Sequence, residues 1–137
     1  MSDLTDLFKE TPKVIEMLKR NKFRLGIVST KYRYRIETIL RRENILNLFD
    51  VIIGGEDVHD LKPNPFGLTL ATQKLNLLPS DIIYIGDTTI DAETANRAGV
   101  FFIAVLSGVT PRGAFEGFQV KSFLENISAL PPLFGIE

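Results

Sequence analysis

The chain contains no cysteine, which removes disulfides and thiolate metal sites and leaves nothing that points to an oxidising compartment. It also lacks an excess of either charge. Its 16 basic and 17 acidic residues and a pI near 5.9 argue against a protein that works by neutralising many nucleic-acid phosphates. Long apolar runs are missing as well. The longest covers residues 100–106, far short of a bilayer span, and the opening MSDLTDLFKE lacks the basic and apolar regions of a secretion signal. Histidine occurs once, at His59, with no partner pattern, and reads as a loop residue. No repeat, low-complexity tract or Gly/Ser linker divides the chain. These absences lead us to expect a single domain over residues 1–137, cytoplasmic, with no membrane and no nucleic-acid partner.

What is present is an alternation of strand and helix signals. Thr11-Pro12 has the cap-and-proline form of a helix start, followed by Val14, Met17 and Leu18 on one face. Residues 23–28 read as a strand ending at Ser29-Thr30. Ile36, Ile39 and Leu40 mark a helix with a charged outer face, and residues 51–53 form a short strand closed by Gly54-Gly55. Asn64-Pro65 repeats the helix-start signature, with Leu68, Ala71 and Leu75 carrying the helix to about Leu77. Residues 82–85 are a strand, residues 90–98 a helix stopped by Gly99, residues 100–105 a strand, and residues 123–130 a last helix before Pro131-Pro132. The strands are continuous apolar runs, the pattern of a parallel sheet covered by helices on both faces, so the expected class is α/β and Rossmann-like.

In such sheets ligands bind beyond the carboxyl ends of the strands, and there the sequence places GDTTID, residues 86–91. Asp87 and Asp91 have two readings. As helix-start residues they cap and complement the dipole; as hard oxygen donors they suit Mg²⁺, which takes one or two carboxylates together with waters and a substrate phosphate. Ser29, also at a strand end, either satisfies a turn or meets a ligand. Lys62 is flanked by Pro63, which biases it toward extended backbone, and precedes a helix whose N-terminus attracts anions.

The order of these features resembles the haloacid dehalogenase superfamily of phosphohydrolases, in particular its phosphoglycolate phosphatase-like branch. GIVSTK (residues 26–31) is similar to the second motif of that branch, LKPNP (residues 61–65) to the third and IGDTTIDAETANRAG (residues 85–99) to the fourth, and the resemblance runs from about Phe8 to the final helix. It implies that Ser29 and the Thr30 amide bind a phosphoryl oxygen, that Lys62 offsets phosphate charge, and that Asp87 and Asp91 serve Mg²⁺. It also implies a phosphomonoester hydrolase acting on a small phosphorylated metabolite.

The family's first motif, a strand ending in DxDx[TV] whose first Asp attacks phosphorus, does not occur in these 137 residues. Asp3 and Asp6 are spaced by three, with no apolar strand ahead of them. The resemblance places that strand in mid-sheet, between residues 82–85 and 23–28. Without it the fold is expected to have two apolar strand edges, and the chain to be inactive alone. The edges have three outcomes: they close up and pair, a second copy or another chain supplies the strand, or the sequence is a truncated product. The functional alternative is a non-catalytic phosphate- or Mg²⁺-binding or regulatory module that pairs with another chain. A phospho-receiver domain fits less well, because its lysine follows the acidic strands, and a dinucleotide-binding domain is disfavoured because no GxGxxG follows a strand. The run Lys31-Tyr32-Arg33-Tyr34-Arg35 reads as a solvated helix face with packed tyrosine rings, not as a stacking surface for bases.

Overall fold

The computed structural model describes residues 11–136. The chain alternates as the apolar runs require: α1 (Thr11–Arg20), β1 (Gly26–Val28), α2 (Arg33–Arg42), β2 (Val51–Ile53), α3 (Phe66–Lys74), β3 (Ile83–Gly86), α4 (Thr89–Ala98), β4 (Phe101–Val105), β5 (Ser122–Leu124) and α5 (Leu130–Leu133). All strand pairing is parallel, in one sheet of β1 with β2 and another in the order β3, β4, β5.

Side-chain alternation assigns each helix to a face. Val28, Val51 and Ile53 pack with Ala71 and Leu75 of α3, whereas Ile27 and Ile52 pack with Ile36 and Leu40 of α2. In the second sheet Phe102, Ala104 and Tyr84 meet Ala92 and Ala95 of α4, and Ile83, Ile85 and Ile103 meet Val14 and Leu18 of α1. Helices therefore cover both faces, and the α/β class holds. Gly99 ends α4 at φ +75°, a left-handed conformation that glycine adopts without a Cβ penalty.

Four local expectations are corrected. The first strand is shorter than residues 23–28, because Leu25 is held by Asp50: the Asp50 amide donates to Leu25 O (2.7 Å) and its carboxylate accepts from Leu25 N (2.7 Å). The helix expected at 123–130 is instead strand β5, which pairs with β4, followed by a turn in which Asn126 Oδ1 accepts from Ser128 N. Pro131 and Pro132, read as stops, lie inside α5, near its start, where a missing N–H costs nothing. Tyr32 and Tyr34 are 58% and 66% exposed, so their rings do not pack into the body as expected.

Asp50 also holds Lys19 at 2.8 Å. Burial pushes its carboxyl up, but the Lys19 ammonium, the Leu25 amide and Arg24 outweigh it and hold the pKa below the ordinary 3.8. A lowered folded pKa contributes stability that is present above 3.8 and disappears as pH falls through the folded value. Asp50→Ala is therefore expected to lower unfolding stability by about 1–2 kcal/mol at neutral pH, a gap that narrows below about pH 4. Urea titrations at the two pH values check this; a gap that persists unchanged in acid would contradict it.

The strands β1 and β3 do not pair, so the close-up outcome does not occur. Between them runs a cleft of about 360 Å³. The contrast with β4 is direct: Phe102, Ile103 and Ala104 are 1%, 1% and 0% exposed, whereas Ile83, Tyr84 and Ile85 are only half-buried, although both strands are equally apolar.

Candidate functional site

The site is built where β1 and β3 end. Ser29 N continues the β1 ladder by donating to Ile53 O (3.0 Å), and Ser29 Oγ accepts from Lys31 N (3.1 Å). The turn-satisfying reading of this serine is thus correct, and its hydroxyl hydrogen stays available to donate elsewhere. Thr30 is exposed. Both residues line a small cavity of about 10 Å³ together with Lys62 and Asn64.

Lys62 comes from the loop before α3. The loop is fixed by Asn64, whose Oδ1 accepts from Phe66 N (2.9 Å) at the helix start; α3 begins at Phe66, one residue beyond the position that the proline suggested. From here the Lys62 ammonium crosses to the β3 side, donating to Asp91 Oδ1 (2.8 Å) and to the Tyr84 hydroxyl (3.0 Å). Burial lowers the affinity of Lys62 for its proton, but Tyr84 and Asp91 more than offset this and leave its pKa above the ordinary lysine value. Tyr84, pushed up mainly by burial, is a neutral phenol at neutral pH, so Asp91 supplies the charge that holds the ammonium.

Asp91 has both oxygens engaged. Its Oδ2 accepts from Thr88 Oγ1 (2.9 Å) and from Asp87 N (3.3 Å), while its own N–H donates to Thr88 Oγ1 (3.1 Å). Thr88, not either aspartate, is the N-cap of α4. Asp91 sits three residues on, the acid of a capping pair, and also the partner of Lys62. Asp87, at the end of β3, is 4% exposed. Gly108, in the loop after β4, lies so close that a Cβ there would collide with Asp87 Oδ2.

All five expected residues therefore gather at one rim: Ser29 and Thr30 share a cavity with Lys62, Lys62 bridges to Asp91, and Asp91 touches Asp87. His59 is exposed in a loop, as expected. Tyr84, Thr88 and Gly108 are additions. Thr88 was readable as the first member of a T-x-x-D start signature; Tyr84 was hidden inside an apolar run, and Gly108 had no sequence signal.

The donor chemistry fits Mg²⁺ in part. Asp87 offers hard carboxylate oxygens in a cradle that Gly108 leaves without a Cβ. No group of three or more His, Cys, Asp or Glu side chains able to hold a metal occurs among the described residues. No helix among the described residues is long and apolar enough to cross a membrane.

Known proteins resemble this chain in sequence and in fold. A pyrophosphatase, PpaX, of Bacillus mycoides is 28% identical over 131 residues, covering 96% of this chain and 61% of that protein. The crystal structure of a protein assigned as a haloacid dehalogenase-like hydrolase from Bacteroides fragilis superposes with a TM-score of 0.88 at 44% identity, over 90% of this chain and 59% of that one. Another, assigned as a phosphoglycolate phosphatase from Lactobacillus plantarum, gives 0.84 at 28% identity, over 94% and 61%. The chain thus spans about three fifths of the length of these relatives. The family model for haloacid dehalogenase-like hydrolases matches residues 1–105, and the chain belongs to that family.

Proposed function

We propose that this chain forms the larger part of the core of a Mg²⁺-dependent phosphomonoester phosphatase acting on a small phosphorylated metabolite, and that it lacks its own nucleophile. The observation that carries the reading is the bridge from Lys62 to Asp91, which ties the hydroxyl-bearing end of β1 to the acidic end of β3. The phosphatase names of the relatives support it.

In this reading each residue has one task. The Ser29 hydroxyl and Thr30 amide donate to phosphoryl oxygens. Lys62, kept protonated by Asp91, neutralises charge that grows on those oxygens during transfer. Asp91, with both oxygens occupied, orients Lys62 and supports the metal site from beside it. Asp87 is the carboxylate placed to hold Mg²⁺, which when bound supplies further charge neutralisation to the phosphate. No strand ending in DxDx[TV] is present in the sequence, so the attacking carboxylate must come from elsewhere.

The expected result for the chain alone is no measurable turnover of p-nitrophenyl phosphate with Mg²⁺, together with weak, Mg²⁺-dependent phosphate binding that Lys62→Ala removes. Turnover abolished by Asp87→Asn would overturn the missing nucleophile. Phosphate binding indifferent to both Mg²⁺ and Lys62 would overturn the site.

The cleft between β1 and β3 favours a second reading alongside the first, a module that works only when paired with another chain. On that reading the same residues bind phosphate and Mg²⁺ without catalysis.

A further inference from the structure

The loop that follows β2 is pressed against the turn that follows β1. Gly55 N donates to Lys31 O (2.8 Å), and the Arg33 amide donates to Glu56, at 2.9 Å to Oε1 and 3.3 Å to Oε2. The Arg33 side chain returns to the same loop, its Nη2 lying 3.3 Å from Asp57 Oδ1 and its Nε 3.7 Å from Glu56 Oε2. The two backbones touch as well. A Cβ on Gly54 would stand 2.8 Å from Arg33 N and 3.0 Å from Lys31 O, and one on Gly55 would stand 2.5 Å from Thr30 O. Only glycines allow so close an approach.

These contacts meet a turn already tied to its own strand. Ser29 N donates to Ile53 O (3.0 Å), and Lys31 N donates to Ser29 Oγ (3.1 Å). Thr30 is thus held from both sides, its own carbonyl lodged against Gly55 and the next carbonyl bonded to that glycine.

The helix that follows has an unusual cap. The first N–H groups of a helix need acceptors, and the side chain at the N-cap commonly supplies one. Tyr32 holds that position in α2 and supplies none. The acceptor comes instead from Glu56, 23 residues further along the chain. The Arg33 amide, more than any other favourable contact, holds the Glu56 carboxyl below its ordinary range, so the group is a carboxylate at neutral pH. A cap at residue 32 would serve the helix equally well, but a remote one also fastens the β2 loop to the turn. It further fills, with a fixed charge, the helix end that would otherwise attract an anion, which leaves a phosphate to the Ser29 hydroxyl and the Thr30 amide.

We propose that Glu56 is a positioning residue for phosphate binding: by accepting from the Arg33 amide it clamps residues 29–33 against the β2 loop and so fixes the direction of the Thr30 N–H. Glu56 is exposed and acts through the backbone of the turn, without touching the phosphate. The clamp stands on geometry alone; its role toward phosphate rests on the function proposed above.

The test titrates the full chain with inorganic phosphate in the presence of Mg²⁺, followed by NMR, together with amide hydrogen exchange and urea unfolding. Glu56→Ala removes the acceptor and is expected to weaken phosphate binding about tenfold and to speed exchange at Arg33 and Gly55. Glu56→Gln keeps a carbonyl oxygen within reach of the Arg33 amide and is expected to recover most of that loss.

A double variant, Tyr32→Ser with Glu56→Ala, measured against Tyr32→Ser alone, separates positioning from ordinary capping. Serine at the N-cap returns a local acceptor to α2, so the urea midpoint is expected to recover while phosphate affinity stays low. Affinity that recovers with the midpoint would reduce Glu56 to a helix cap and overturn the proposal. So would a Glu56→Ala protein that binds phosphate as tightly as the wild type, or a Glu56→Gln protein as weak as Glu56→Ala. If the wild type binds no phosphate, the phosphatase reading fails, and exchange alone decides the clamp: faster exchange at Gly55 in both Glu56→Ala and the double variant upholds it, and unchanged exchange ends it.

Discussion

Replacing Lys62 by methionine should lower the unfolding free energy by about 3–5 kcal/mol at neutral pH. The side chains of Lys62 and Asp91 are 18% and 10% exposed and lie 2.8 Å apart, so removing the cation leaves a carboxylate desolvated without its counter-charge. Thr88 and the Asp87 amide still donate to Asp91, which places the expected loss toward the lower end. Methionine keeps the length and apolar stem of lysine, so a lost cavity contact is not the cause. The double variant Lys62→Met with Asp91→Asn should be less destabilised than the sum of the two single changes, because no charge is then buried alone.

The pH dependence follows from the raised pKa of Lys62. A cation whose folded pKa lies above its unfolded value contributes stability that is fully present below the ordinary lysine value of 10.5 and is lost only as pH rises through the higher folded value. The stability gap between wild type and Lys62→Met should therefore be flat from about pH 6 to about pH 10. Urea unfolding across that range measures it. A loss under about 1 kcal/mol, as for an exposed pair, would show that the bridge is not what joins the two halves of the site.

Much of the architecture was legible because burial leaves a strong trace in sequence. Residues 82–85 and 100–105 could only be strands covered on both faces, and Gly99 marked the end of α4 at the predicted place. The C-terminal segment misled for a physical reason. Phe123, Leu124, Ile127 and Leu130 recur at helical spacing, but the first two belong to β5 against β4, and the Asn126 turn carries the chain on to α5. Tertiary pairing with a strand overrode a local period that had no strand to refer to. The site was legible by position, since each of its residues ends a strand or opens a helix. What sequence could not show was the wiring among them. Nothing in the run Ile82-Ile83-Tyr84-Ile85 says that the tyrosine tip would meet Lys62 and the far strand, and nothing near Gly108 says that Asp87 would pack against it.

Gly108→Ala is the sharper test of the proposed metal position, because it touches Asp87 without changing it. The new Cβ would collide with Oδ2 and stand 3.0 Å from Cγ and 3.2 Å from Cβ of Asp87, so it opposes the whole short side chain and not only a flexible tip. Asp87 is 4% exposed at the end of a paired strand and has little room to retreat. Either the carboxylate rotates away or the loop carrying Gly108 lifts off. Both outcomes displace the oxygens that would hold Mg²⁺, and neither disturbs the Lys62 bridge.

Because both Asp91 oxygens are already engaged by Lys62 and Thr88, Asp87 is left as the proposed metal carboxylate, and binding in the wild type should be weak. Mn²⁺ serves as the probe, since it prefers the same oxygen ligands and broadens NMR signals near where it binds. Wild-type protein should show selective broadening around Gly86 and Gly108. In Gly108→Ala the apparent affinity should fall about tenfold or more, matching Asp87→Asn, while the urea midpoint moves little beside that of Lys62→Met. If Mn²⁺ affinity in Gly108→Ala equals that of the wild type, Asp87 is not the metal's carboxylate, and the two acids of GDTTID are left with the structural work of holding α4 and Lys62 in place.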